Sequence, residues 1–493
     1  MRTKTIVAQA AYCLIALTCA SFSQAADITF SKDIAPIIFQ NCTICHRPDE
    51  AAPFSLQNYA DVQKRGELIT QVVGDRSMPP WKAGHGDYAF RDERRLTNEQ
   101  IALIQSWVKQ GMPEGNRADL PAMPQFTPGW ILGEPDLVVS MKEAFPVPAE
   151  GADIYRNFVI PLNLTSEHWV RAIDFRPSAR SVVHHSLFFF DASGKARKLE
   201  EEDSLPGFKG GMGAIMRLRG GPPGGAMLID DQGDIDKGEN RLRGPANRRG
   251  AAADGASFGP LGGWALGAMP RALPDGLAFR LPAGSDLILS THFHPSGKAE
   301  EESSTIGMYF SKEPTTRKFT GLQLPPAFGA FKGIDIPAGQ KEYVIEDSFE
   351  LPIAVEAFGA GAHAHYLGKS MTLSATLPNG ETKILLTIPD WDFAWQGQYQ
   401  FQEYVSLPKG TRLHSRITYD NSADNPRNPT DPPVRVRFGE ESTDEMGSMT
   451  LFVVAATEGE IPQLIASYQE FVRKSFSQFP LLKLLQTRRV RTK

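Results

Sequence analysis

The chain has 493 residues and a formal charge of −5 at pH 7, with 57 acidic side chains against 52 basic ones. That balance offers no basic face for a nucleic acid, and no run of about 18 apolar residues occurs after the N-terminal one, so stable membrane insertion is not expected. The length leaves room for roughly two to four domains, each with its own core.

Arg2 and Lys4 precede the apolar run IVAQAAYCLIALTCA, and Ser23-Gln24-Ala25 supplies small residues where a signal peptidase reads. Residues 1–25 therefore read as a cleaved secretory signal peptide, which predicts a periplasmic or secreted protein. The apolar core is too short to span a bilayer comfortably. Cleavage would remove Cys13, Cys19, Arg2 and Lys4, leaving Cys42 and Cys45 as the mature chain's cysteines and a charge of −7. An exported protein of this size without structural disulfides must rely on its core.

Cys42 to His46 reads CTICH, the attachment pattern of haem c: two thiols for the porphyrin vinyl groups and an adjacent imidazole for the iron. A zinc site would want four ligands, and no second cysteine pair exists. Ser31 is placed to cap a helix over SKDIAPIIFQN, in which Pro36 is early enough to be tolerated. Thr97 and Gln100 form a capping box ahead of Ile101, Ile104, Trp107 and Val108, with Gly111 and Pro113 ending that helix. Between them, Met78 sits in the Pro-rich DRSMPPWKAG, able to offer its thioether to the second face of the iron, with His85 as the competing ligand. Met/His ligation raises the reduction potential, which suits an electron carrier. Residues 26–116 resemble a class I cytochrome c, which implies a small all-α domain carrying one covalent haem.

After Asn116 the texture changes to short β-rich runs broken by Gly, Pro and Asn, at the spacing of a sandwich or jelly roll. Six of the ten histidines fall here in three tight pairs. His184-His185 lie in SVVHHSLFFFD; neighbours on a regular strand face opposite ways, so shared ligation requires a twist or bulge. His292 and His294 share a face at the end of DLILSTHFH, as do His363 and His365 in GAHAHYLGKSM. A Gly-rich insertion, about 206–263, is too long for an inert turn and too poor in apolar residues for a domain. It reads as a solvated loop, or as a lid or cytochrome dock using Arg217, Arg219, Arg248 and Arg249. Leu464, Ile465, Tyr468, Phe471 and Val472 repeat at helical spacing, predicting a C-terminal amphipathic helix within 457–493, followed by a short basic tail.

The order and contexts of the three pairs resemble the copper type II, ascorbate-dependent monooxygenases, the family of the peptidylglycine α-hydroxylating and dopamine β-monooxygenases. The resemblance covers about residues 125–456. It implies two jelly-roll sandwiches, 117–311 and 312–456, each holding one copper. His184, His185 and His292 match the ligands of one centre, and His363, His365 and Met446, in Asp444-Glu445-Met446, those of the other. The animal enzymes are rich in disulfides and this region has no cysteine, which separates its substrate binding from theirs but leaves the ligand set intact.

Three imidazoles suit a copper that cycles between oxidation states, and a thioether stabilises Cu(I), the form that meets O2. These readings predict a monooxygenase that hydroxylates a C–H bond of a small-molecule or peptide-like substrate, with His363, His365 and Met446 at the oxygen-activating site. Ascorbate or a periplasmic donor would reduce the haem held by Cys42, Cys45, His46 and Met78. The alternative is a non-enzymatic electron-transfer or copper-binding protein on the same scaffold. His294 stands either beside a ligand or as a surface histidine, Met371, Met449 and His414 read as structural, and Glu356 or Tyr366 as proton donors without further support.

Overall fold

The computed structural model describes residues 27–478 apart from 49, 51, 127–128, 219–256, 267 and 316. The signal peptide, the basic tail, and Arg219, Arg248 and Arg249 lie outside the described residues. The chain is mostly β-sheet, with a few short helices at its start and one longer helix at its end.

The N-terminal helices, Phe30–Ile34, Ala35–Asn41, Tyr59–Gln63, Gly66–Gly74 and Asn98–Lys109, enclose Phe30, Ile34, Ile38, Ile104 and Trp107. The first of them begins at Phe30 rather than behind a Ser31 cap. Ser31 is buried, and Asp33 instead reaches back to accept the Thr29 N–H at 2.8 Å. The Thr97–Gln100 capping box forms as its spacing predicts. Gly111 then takes a positive φ of 86°, open to glycine, and the chain leaves the helix.

Residues 81–91 do not stay with these helices, as a closed 26–116 unit would require. Trp81 and Phe90 bury against Tyr399 and Phe401 of the second sandwich, with ring centroids 5.1 and 5.3 Å apart. The backbone follows. Gly84 N–H donates to the Thr387 carbonyl at 2.7 Å, while Arg91 N–H donates to Gln400 and Ala89 accepts from Gln402. The strands they pair with, Thr382–Ile388 and Gln398–Leu407, are the outer strands of two different sheets, whose free polar groups invite such pairing.

The first sandwich faces a four-stranded sheet (Leu137–Ser140, Thr305–Phe310, His168–Arg176, Phe279–Leu281) against a five-stranded one. The latter runs in the order Phe208–Lys209, Ile154–Pro161, Asp286–Phe293, Val183–Asp191, Phe258–Ala265. Phe158, Phe188, Leu289 and Phe293 from one sheet meet Val170, Phe175, Ile306 and Met308 from the other. Both ends of the Gly-rich insertion are therefore sandwich strands, and Met212–Leu218, which includes Arg217, is a helix. The second sandwich faces Phe319–Leu324, Gly447–Ala455, Val355–Ala364 and Gln398–Leu407 against Tyr343–Glu350, Arg412–Tyr419, Gly368–Thr376 and Thr382–Ile388. Met371 and Met449 are fully buried in its core. The helix Ile461–Ser477 packs on it through Ile461, Leu464, Tyr468 and Phe471, and Tyr468 Oη donates to the Gln323 carbonyl at 2.8 Å. Among the described residues no helix is long and apolar enough to cross a membrane.

Candidate metal centre

His184 and His185 lie at the start of the strand Val183–Asp191, which pairs with Asp286–Phe293 so that His185 stands opposite His292. The register shifts between Val183 and His185. That irregularity is what lets two consecutive side chains serve one point. One ring nitrogen from each of His184, His185 and His292 lies within 4.8 Å of the others, a group able to hold a metal ion.

The tautomers follow from their partners. His184 Nε2–H donates to the Phe393 carbonyl at 3.2 Å, which leaves Nδ1 with its lone pair, 3.0 Å from His185 Nδ1. His292 is buried, its ring stacked on Tyr155 at 4.3 Å. Its Nδ1 has no hydrogen-bond partner, and Nε2 sits 3.0 Å from Asp153 Oδ2 but off the line of a directed hydrogen bond. A buried ring with an orphaned nitrogen, beside two others whose Nδ1 atoms meet at 3.0 Å, fits a cation and is costly without one. Asp153 also accepts from His294 Nδ1 at 2.7 Å and from the Ser442 N–H at 2.9 Å and hydroxyl. His294, half exposed, is thus tied to the carboxylate beside the cluster and is not in it.

His363 is the next-to-last residue of Val355–Ala364, and His365 follows that strand's end. His363 Nδ1–H donates to Gln396 Oε1 at 2.6 Å and His365 Nδ1–H to the Asp444 carbonyl at 3.2 Å, leaving both Nε2 atoms free. The strand Gly447–Ala455 pairs Ala364 with Gly447, and the next step of that register sets Met446 opposite His365. Glu445, with no exposed surface, joins the two segments. Oε1 accepts the N–H of His365 at 2.6 Å and of Met446 at 2.9 Å, and Oε2 accepts that of Leu367 at 3.0 Å. Tyr419 Oη donates to the Met446 carbonyl at 3.0 Å, and a Cβ at Gly447 would collide with that hydroxyl.

The two clusters adjoin. The His185 and His363 rings are 6.4 Å apart, and Phe393 stacks on His184 at 4.1 Å while meeting His365 edge-on at 5.6 Å. His185, His292, His363, His365 and Met446 line one cavity of about 510 Å³ between the sandwiches. Burial, and then the mutual repulsion of the imidazoles, holds His184 near a pKa of 3 and His185 and His365 well below 6.5. Burial alone is the leading cause for His363, held near 4. These rings are neutral at physiological pH, the form that binds metals. Burial raises Asp153, but the adjacent His292 ring and hydrogen bonds from Ser442 and His294 overcome it and keep the carboxylate ionised.

In the helical region both Cys42 and Cys45 are unpaired, half-buried thiols. Burial raises Cys42 to about 12. His46 Nδ1–H donates to the Phe54 carbonyl at 3.1 Å, leaving Nε2 as the ligating atom, so the three residues fit a covalently attached haem. Cys45 Sγ lies 3.8 Å from Sδ of Met269, a residue of the cavity wall. Met78 is half-buried just after Gly66–Gly74, its N–H on the Val72 carbonyl, whereas His85 is exposed in the segment docked on the second sandwich.

Asp153, Phe393, Gln396 and Glu445 position the histidines and were not singled out from the sequence. Asp153 carries no local pattern at all. Glu445 adjoins Met446, so its one signal was adjacency to a motif, and Phe393 and Gln396 lie three residues apart in WDFAWQGQYQ. Glu356 is paired with Arg317 at 2.5 Å, and Tyr366 packs on Phe393 at 4.5 Å. His414 sits half-buried in the sheet opposite Ser348 and Ser374.

No family model matches the chain, and no curated protein does. Among solved structures, the glycosylasparaginase PNGase F of Flavobacterium meningosepticum is similar at 9% identity and a TM-score of 0.25, covering 65% of this chain and 97% of that one. The VP2 subviral particle of infectious bursal disease virus is similar at 10% identity and a TM-score of 0.19, covering 67% and 75%. Likenesses this distant say nothing of the site.

Proposed function

We propose that the protein is an exported copper monooxygenase of the copper type II kind, with a haem c domain as its electron entry and two jelly-roll sandwiches as its copper-binding module. The observation that carries the proposal is that His185 and His292 of the three-histidine group and, from the other sandwich, His363, His365 and Met446 all line the same cavity. Simple carriage of copper does not call for two unlike donor sets sharing a chamber. His184, His185 and His292 would hold one copper, His363, His365 and Met446 the other, and Cys42, Cys45, His46 and Met78 the haem. Bound there, the metals supply one-electron and oxygen chemistry.

The chain's own residues do the rest. Phe393, Gln396 and the Asp444 carbonyl fix which nitrogen of His184, His363 and His365 faces the metal. Glu445 locks the His365 and Met446 backbones to each other, so the imidazole and the thioether move as one unit. Asp153, 3.0 Å from His292 Nε2, ties the first cluster to the Ser442 loop that leads to Met446. The apolar walls, including Trp264, Phe319 and Phe358, exclude water from a bound substrate.

Metal analysis tests the reading: two coppers and one iron per chain are expected, and one copper or none favours the non-enzymatic electron-transfer or copper-binding alternative. Candidate C–H substrates should then drive ascorbate-dependent oxygen consumption. Haem reduction by ascorbate with no substrate-linked oxygen uptake, at full copper loading, would overturn the enzymatic proposal.

A further inference from the structure

Among the described residues, two cations of the cavity wall lack an adequate counter-charge. Arg94, from the helical region, has buried Nε and Nη1 atoms without hydrogen-bond partners, and Arg271, from the first sandwich, has a buried Nη1 in the same condition. Arg271 meets Asp92 at 3.4 Å, but that carboxylate is 74% exposed and screened by water. Burial, and the nearness of Arg94, make the charge on Arg271 harder to keep. Buried guanidinium groups persist where an anion completes them, and their planar fork matches a carboxylate with two parallel hydrogen bonds.

We infer that Arg94 and Arg271 form a carboxylate-binding site in the cavity wall, built across the boundary between the helical region and the first sandwich. Two sources of carboxylate fit. One is a propionate of the haem attached at Cys42 and Cys45, since Cys45 Sγ lies 3.8 Å from Met269, which lines the same cavity as the two arginines; this source rests on the haem reading above. The other is the carboxylate of an organic substrate with an apolar body, lodged against Trp264, Phe319 and Phe358 with its far end at the histidines. Neither source requires copper.

The test uses the full-length, haem-loaded protein, with 4-phenylbutyrate and its uncharged amide as probes and the fluorescence of the cavity tryptophans as the signal. A substrate site predicts that the acid binds more tightly than the amide. Arg94→Gln or Arg271→Gln should then remove that preference, a loss of roughly tenfold or more. A propionate site predicts no such preference, but a shifted haem reduction potential and an altered Soret dichroism in both variants. Arg94→Lys, which keeps the charge and loses the fork, replaces the Gln variant if that fails to fold, and should show the same change in smaller measure. Variants that alter neither probe binding nor the haem signals overturn the inference. Copper loading has no part in the readout, so failure here is distinguishable from failure of the monooxygenase proposal.

Discussion

Glu445→Ala is the sharpest perturbation of the second cluster. It removes the acceptor for three buried N–H groups, those of His365, Leu367 and Met446, at 2.6, 3.0 and 2.9 Å. Each stranded donor costs roughly 1–3 kcal/mol, so the metal-free protein should lose at least ~3 kcal/mol. For a sandwich of this size that lowers the melting temperature by roughly 6–12 °C. Glu445→Gln keeps one oxygen for His365 and Met446 and gives up only the bond to Leu367, so it should cost roughly a third as much. Burial pushes Glu445 up to about 8, so at neutral pH the amide replaces a group that is largely uncharged already and the comparison is one of hydrogen bonds. The assay is urea unfolding of chelator-treated protein, followed by Cu(I) affinity measured by chelator competition. If both variants unfold within ~1 kcal/mol of the wild type, the carboxylate is not what holds the two ligand segments together.

Met446→Leu preserves volume at a buried position, so stability should change by less than about 1.5 kcal/mol. The copper–sulfur scattering of the reduced protein should nevertheless vanish from its X-ray absorption spectrum, together with oxygen uptake; surviving sulfur scattering would remove Met446 from the ligand set. Asp153→Asn should weaken copper at the three-histidine cluster by roughly 10–100-fold while sparing the other site, as read by copper titration against a chelator. Equal losses at both sites would contradict the placement of Asp153. In the metal-free protein His184 and His363 have folded pKa values near 3 and 4, below the 6.5 of an exposed histidine. The unfolded chain therefore binds more protons as pH falls, so stability is full above about 6.5 and declines toward 4 at about 1.4 kcal/mol per unit for each histidine protonated on unfolding. Denaturation at pH 7, 6 and 5 checks this, and a flat profile refutes it.

The histidine pairs were legible because side chains that converge on one point leave local spacing behind. His363 and His365 stand two residues apart at a strand end, and the adjacency of His184 and His185 required the register shift that the strand shows. The Thr97–Gln100 cap and the helix Ile461–Ser477 are likewise local events. What the sequence concealed are contacts between residues far apart in the chain. Asp153 meets Ser442 across 289 positions and His184 meets Phe393 across 209. The start at Phe30 was missed because Ser31, a good cap by type, is consumed by burial. Residues 81–91 follow the helices in the chain, and their contacts with the second sandwich lie about 300 positions away, where no local pattern points.

That same stretch has an effect on how the molecule behaves among its copies. By laying its backbone along the outermost strands of two sheets at once, it seals the margins through which β-proteins stick to one another. Trimming the chain back to the two sandwiches would bare both margins, and that fragment is the form expected to precipitate.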